Sequence, residues 1–223
     1  MTLALAIDTS TPAVSVAIGR LDRATGTTVL AREVLVDARA HAEQLTPLIR
    51  TALDRSGIAP GDLGAVVAGL GPGPFTGLRV GLVTAAAMGH ALGIPCYGQC
   101  SLDAIGATVA GTDPVLVATD ARRKEIYWGL YASGRRLAGP GVAKPANLPP
   151  EAAAAVRATG AGAVQYASTL GLPLVDGHDH PDPAELLTLA AERILTGRAG
   201  DDLTPLYLRR PDVHVAAPAT PTP

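Results

Sequence analysis

The sequence predicts an α/β protein built of two related lobes, and three observations lead there. Residues 3–92 run as strand, strand, strand, helix, strand, helix. After Gly111 the pattern restarts, more weakly, with further strands and a helix. The composition, 48% hydrophobic and 17% charged over 223 residues, supplies a core that hides about 70% of the unfolded surface without disulfides or metal.

Residues 3–8 and 13–19 are short β-rich runs joined by the turn cluster Thr9-Ser10-Thr11-Pro12, and residues 27–35 follow the turn at Thr25-Gly26. They form an antiparallel three-stranded meander. Residues 40–55 place Leu45, Leu48, Ile49, Ala52 and Leu53 on one helical face, and Gly57 ends the helix. Residues 63–70 are a continuous apolar run around Val66-Val67, the signature of a strand covered on both sides. The corner Gly71-Pro72-Gly73-Pro74 leads into a second helix over 76–92. A short strand at 94–97 and one or two helical turns at 103–109 close the first half. In the second half, 114–120 and 125–131 are strands around the charged turn Arg122-Arg123-Lys124, with another strand at 135–142. Past Pro145 the chain is Ala-rich and loosely patterned until a helix at 183–195. The Pro/Ala/Thr tail at 216–223 offers no apolar periodicity and is expected to be disordered. These elements divide the chain into an N-terminal lobe, 1–100, a smaller and partly degenerate C-terminal lobe, 101–211, and a tail, 212–223.

Twenty acidic against 18 basic side chains leave a net charge of −2, which argues against a dedicated nucleic-acid binder. Cys96 and Cys100 stand four apart without a companion cluster, so a structural zinc site fails and buried thiols in a reducing compartment are expected. The N-terminus lacks a basic leader and meets Asp8 within the first strand; the uncharged stretch at 80–92 is too short to span a bilayer. A cytoplasmic protein without membrane contact is expected.

Few residues carry obvious chemistry. The loop Gly71-Pro72-Gly73-Pro74-Phe75-Thr76-Gly77 joins a buried strand to a helix N-terminus, where free N–H groups favour anions. It lacks the Lys-Ser/Thr pair of a P-loop, and its two prolines remove donors. A stiff corner is therefore favoured over a phosphate site. Asp8, Thr9 and Ser10 on the first hairpin tip offer groups for a phosphate or magnesium, but equally cap the turn through local bonds. With Gly73 and Thr76 they are the only cofactor-binding candidates, and no cofactor or metal is expected. His178 and His180 lie in an Asp/Gly/His/Pro loop that reads as solvated, and the serines show no nucleophile elbow. The second helix carries Gly77, Gly81, Ala85 and Gly89 every four residues, one face of nearly bare backbone. Each Gly costs helix propensity, about 1 kcal/mol relative to Ala, so something must approach that face closely. The partner is either the chain's own Leu45/Leu48/Ile49/Leu53 face or another subunit.

Taken together, Leu5-Ala6-Ile7-Asp8-Thr9-Ser10, His41-Ala42-Glu43-Gln44-Leu45, the 71–81 block, Asp120-Ala121-Arg122-Arg123-Lys124-Glu125-Ile126-Tyr127-Trp128 and Pro205-Leu206-Tyr207-Leu208-Arg209 closely resemble the bacterial TsaB family. The resemblance runs from Leu3 to about Arg210 and is loose over 139–181. It implies two actin/sugar-kinase-like, ribonuclease-H-like lobes, with mixed sheets flanked by helices. It also implies a noncatalytic scaffold in the machinery that adds a threonylcarbamoyl group to the adenosine beside the anticodon of tRNAs. The implied partners are a TsaD-like transferase subunit, a TsaE-like ATPase and a second copy of the chain, with tRNA met only within the complex. In the related TsaD a His-x-x-x-His metal motif follows the second helix. Here Ser101 and Ile105 occupy those places, and neither is a competent ligand pair. The alternative is a metal-dependent glycoprotease-like peptidase or an ATPase of the same superfamily. The expected assembly surface is the face of the first two helices, carried by His41, Leu45, Leu48, Ile49, Gly77, Gly81, Ala85 and Gly89.

Overall fold

A computed structural model describes residues 1–175 and 179–209. The hairpins β1 (Thr2–Asp8), β2 (Ala13–Asp22) and β3 (Gly26–Val36) form the expected meander. Helix α1 (His41–Ser56) leads to β4 (Ala65–Gly69), which pairs parallel to β1; α2 (Phe75–Leu92) leads to β5 (Cys96–Gln99), parallel to β4. The first sheet has the order β3-β2-β1-β4-β5.

β1 is buried on both faces because successive side chains alternate. Leu5 and Ile7 point to a core shared with Leu45, Ile49, Leu78 and Leu82 of α1 and α2. Ala4 and Ala6 point the other way, toward Leu186, Leu187 and Ala190. Those three belong to the last helix, which crosses back onto the first sheet.

Helix α3 (Ser101–Gly106) precedes a second sheet of β6 (Val115–Asp120), β7 (Ile126–Ala132), β8 (Arg135–Ala143) and β9 (Arg157–Thr159), in the order β8-β7-β6-β9. β9 pairs parallel to β6, repeating the addition of a parallel strand to an antiparallel meander. Two short helices, α4 (Ala161–Gln165) and α5 (Ala167–Leu170), follow, then α6 (Pro183–Leu195). Two mixed sheets flanked by helices on this plan make a ribonuclease-H-like, actin-like fold.

α6 matches its expected bounds because the signals are local. Asp182 caps it by accepting from the Ala184 N–H at 3.0 Å, and Pro183 takes the first position, where no donor is needed. Its packing, however, runs against the lobe division at residue 100. A helix counted with 101–211 builds the outer layer of the first sheet. The loosely patterned stretch holds β9, α4 and α5, none of which periodicity predicts; a three-residue strand exists only through its neighbours, β6 on one side and a bridge to Leu174 on the other. β5 runs two residues later than the expected 94–97, and α3 starts two and ends three residues before the expected 103–109. His178 and the 212–223 tail lie outside the described residues. Among the described residues no helix is long and apolar enough to cross a membrane.

The bare face of α2 needs a correction. It turns inward, not toward another subunit. A Cβ on Gly81 would lie 2.5 Å from Thr9 Oγ1 and 3.5 Å from Ile7 Cγ2, and one on Gly77 would lie 3.1 Å from the Thr9 carbonyl oxygen. A Cβ on Gly89 would collide with Cys96 Sγ. Ala85, Leu45 and Ile49 are core residues, and Leu48 packs partly buried beside them. His41 is also buried. The small residues therefore let α2 settle on the edge of its own sheet. What α1 and α2 leave outside is a different set, with Phe75, Arg79, Val83, Ala86, Ala87 and His90 exposed along α2.

Candidate functional site

The β1–β2 tip, the β4–α2 corner and the N-terminus of α1 meet the β6–β7 turn across a cleft of about 520 Å³. Each wall has a local reason for its shape. Asp8 ends β1 and is almost fully buried. Its Oδ1 accepts from the Ser10 N–H (2.9 Å) and Ser10 Oγ (2.7 Å), and its Oδ2 accepts from Ser101 Oγ at 2.5 Å. Burial pushes the Asp8 carboxyl above the usual carboxylate range, against the pull of these hydrogen bonds. Ser101 Oγ in turn accepts from the Gly71 N–H at 3.0 Å. The carboxylate thus ties the hairpin tip to the β4–α2 corner and to the start of α3.

Thr9 works on the next layer. Its hydroxyl donates to the Gly77 carbonyl at 2.8 Å and accepts from the Gly81 N–H at 3.0 Å. These are the two ends of one turn of α2, reachable because neither glycine carries a side chain. Gly73 lies flat against the Ser10 backbone, leaving no room for a Cβ. The tip that a phosphate would occupy is consequently filled by the protein. Asp8, Thr9 and Ser10 are each about 1% exposed, and only Thr9 of the three borders the cleft. Turn chemistry, favoured from the tripeptide, is what the structure shows at Asp8 and Ser10. Gly73 and Thr76 do line the cleft, with Thr76 exposed on the first turn of α2.

Beside them lie Phe75 of the Gly/Pro loop and Arg122 of the charged β6–β7 turn, together with residues that the sequence did not single out as a site: Arg39, Tyr127, Tyr207 and Arg209. The rings of Phe75 and Tyr207 stack with centroids 4.9 Å apart. The Arg79 guanidinium lies 3.6 Å over the Phe75 ring, and its Nε donates to the Tyr207 hydroxyl at 2.9 Å. Arg209 donates to the Ala121 carbonyl at 2.9 Å and pairs with Glu125 at 3.5 Å, so the C-terminal segment bridges the lobes. Burial raises the Tyr127 phenol above its ordinary range. His41 holds the tip from the other side, its Nε2 2.7 Å from the Thr11 carbonyl oxygen. A sequence signal existed for one of these residues: the chain's single Phe stands at the entry of a helix, after a Gly/Pro corner.

The β6–β7 turn is strained. Arg122, Arg123 and Lys124 all take positive φ, at 61°, 52° and 61°. The Glu125 N–H closes the turn on the Arg122 carbonyl at 2.9 Å. Such a left-handed hairpin turn favours Asn-Gly; each non-glycine residue there costs about 1–2 kcal/mol.

Both cysteines are free, with Cys100 buried and its thiol pushed up to about 11 by burial. Ser101 and Ile105 on α3 are buried, Ile105 among Leu102, Val117, Tyr127 and Tyr131.

Comparison with known proteins gives four consistent findings. A family profile described as TsaD, tRNA N6-adenosine threonylcarbamoyltransferase, matches residues 28–170. An uncharacterized protein of Mycobacterium tuberculosis is 50% identical over 216 residues, covering 97% of this chain and 96% of that protein. The tRNA threonylcarbamoyladenosine biosynthesis protein TsaB of Bacillus subtilis is 34% identical over 128 residues, 57% of this chain and 54% of that protein. Among solved structures, YeaZ from Pseudomonas aeruginosa superimposes with a TM-score of 0.77 at 31% identity, covering 93% of this chain and 100% of that one.

Proposed function

Because the chain belongs to the TsaB/YeaZ family, relatives of TsaD involved in threonylcarbamoyl modification of tRNA, we propose that it is a noncatalytic subunit that binds and activates a TsaD-like transferase. The observation that supports this most is the start of α3. The two places that would hold the transferase's metal-ligating histidines carry Ser101 and Ile105. Ser101 spends its hydroxyl between Asp8 and the Gly71 N–H, and Ile105 is fully buried in an apolar cluster. Ile105 has no donor atom, Ser101 Oγ is engaged between Asp8 and the Gly71 N–H, and the carboxylate beside them already accepts three hydrogen bonds.

The assembly surface is the outer face of α1 and α2, in place of the inward residues. Val83 is 66% exposed there, in line with Arg79 and Phe75 one and two turns before it. Aromatic and Arg anchors with an aliphatic neighbour are the residue types that dominate interfaces. A partner of the same fold presents the equivalent helices, so a homodimer and the transferase heterodimer would compete for one patch.

The test mixes the purified chain with a TsaD-like subunit, a TsaE-like ATPase and the enzyme that supplies threonylcarbamoyl-adenylate, and reads complex size and tRNA modification together. Modification is expected to require the chain, and Val83→Arg to weaken both pairing and modification at least tenfold, about 1.4 kcal/mol. Equal modification without the chain would overturn the proposal.

A further inference from the structure

We infer that Gln99 and Asp103 are positioning residues that lock the joint between the two lobes, and that a TsaD-like subunit docked on the first lobe is activated only while the second lobe is held in that setting. The first clause rests on the joint alone. The second rests on the subunit role proposed above.

Helix α3 is the wedge at this joint. Ala104 packs with the first sheet and α6, whereas Leu102 and Ile105 pack with Val117 and Tyr131 of the second sheet. Gly106 lies flush on the Tyr131 ring, where a Cβ would overlap the ring carbons. Apolar contact of this kind attracts without direction, so it holds two bodies together and leaves their angle free. Units joined this way move relative to one another unless something fixes them.

Direction comes from a polar relay that crosses the wedge. Asp103 Oδ1 accepts from the Tyr131 hydroxyl at 2.8 Å and pairs with Arg136 Nη1 at 3.2 Å, so one carboxylate ties both β7 and β8. Asp103 Oδ2 accepts from Gln99 Nε2 at 3.1 Å. The other end of that amide, Oε1, accepts from Arg193 of α6 at 3.3 Å. Arg193 also donates to the Gly98 carbonyl at 2.9 Å and pairs with Asp201, whose carboxylate accepts from the Gly98 N–H at 3.1 Å. Charge alternates along this line, from Asp201 to Arg193 and from Asp103 to Arg136, with a neutral amide between the two pairs. An amide suits that place because Arg193 only donates and the Asp103 carboxylate only accepts. A glutamate there would set two carboxylates against each other. A network with every partner supplied specifies one geometry.

The relay stands apart from the surfaces described above. Its six side chains are not among those that line the cleft, and none belongs to α1 or α2. On the cleft side, Arg209 ties the C-terminal segment to Ala121 and Glu125 of the second lobe, so the joint is held from two sides. The assembly surface belongs to the first lobe, and the basic β6–β7 turn to the second. With the joint fixed, a partner on α1 and α2 meets the second lobe at one set distance. With it free, pairing survives and that distance does not. The relay therefore separates pairing from activation.

Hydrogen exchange of the full chain, read by mass spectrometry, tests the lock without any partner. Gln99→Met and the milder Asp103→Asn should each speed exchange across 101–106 and 126–132 about tenfold, the loss of one charge-assisted bond. Exchange in α1 and α2 should stay at the parental rate, and circular dichroism confirms that both variants fold. Unchanged exchange at the joint in both variants, or equally faster exchange in α1 and α2, overturns the lock. The same variants are then titrated with the TsaD-like subunit and assayed for tRNA modification with the complex fully formed. Pairing is expected within about twofold of the parent, with modification turnover down roughly tenfold or more, as misplacement far from the chemistry can cause. Parental turnover in a variant whose joint exchanges faster overturns the link to activation, as does a loss of modification that excess subunit restores. A parent chain that neither pairs nor supports modification defeats the subunit role, while the exchange result still decides the lock.

Discussion

Replacing Gly81 by alanine sets two forces against each other and lets the structure decide the sign. Helix propensity favours the change by about 1 kcal/mol, since Gly81 sits in the interior of α2. Packing opposes it. The new Cβ would lie 2.5 Å from Thr9 Oγ1, 3.4 Å from Thr9 Cγ2 and 3.5 Å from Ile7 Cγ2. Thr9 is buried and cannot swing into solvent. If it retreats, it gives up its bonds to the Gly77 carbonyl and the Gly81 N–H, at about 1 kcal/mol each. Overpacking a tight core adds about 1–3 kcal/mol. With the propensity gain subtracted, Gly81→Ala should destabilise by about 2–4 kcal/mol, lowering the melting temperature by roughly 5–15 °C in a chain of this size. Urea unfolding followed by circular dichroism reads this directly. Thr9→Ala removes the obstructing hydroxyl, so the double variant should be more stable than the summed single effects by about 1–2 kcal/mol. Gly81→Leu should not fold. A Gly81→Ala protein more stable than its parent, or strictly additive with Thr9→Ala, would refute the inward placement and return the small face to the role of an interface.

Two further predictions concern the walls of the cleft. Burial raises the Asp8 carboxyl above its unfolded value of 3.8, so its favourable contribution is complete below that pH and is lost as pH rises through the higher folded value. Asp8→Asn should therefore fold at neutral pH and gain stability relative to the parent as pH rises from 4 to 8 in chemical denaturation; a pH-independent difference would contradict the account. At the strained turn, Arg123→Asn/Lys124→Gly should stabilise by about 1–2 kcal/mol, or roughly 2–6 °C in a thermal scan, and an unchanged melting temperature would show that the left-handed residues carry no cost.

How much of this was legible beforehand depends on how far apart the deciding residues lie. β1 and β4 were readable because strands covered on both faces must be apolar throughout, and their residues show it. The ends of α6 were readable because Asp182 and Pro183 act within one turn of the helix they start. β9 was not, because three residues acquire a strand conformation only from their neighbours, β6 and the bridge to Leu174.

The candidate site divides along the same line. From the sequence came the types: a carboxylate with two hydroxyls on a tip, a Gly/Pro corner, a basic turn, and a helix with one bare face. Spacing places Gly77, Gly81, Ala85 and Gly89 on a single side of α2, but periodicity has no knowledge of which side faces the sheet. Thr9, 72 residues from Gly81 in the chain, settles that by bonding to its backbone. Asp8 reads as a turn residue or a ligand until Ser101, 93 residues away, donates to its second oxygen. Arg79 and Tyr207 meet across 128 residues, and no local pattern in either segment announces the other. Local bonding rules act over a few residues and are written in the sequence itself; the orientation of a face, the partners of a buried carboxylate and the cleft between two lobes arise from long-range contacts, which exist only once the chain has packed.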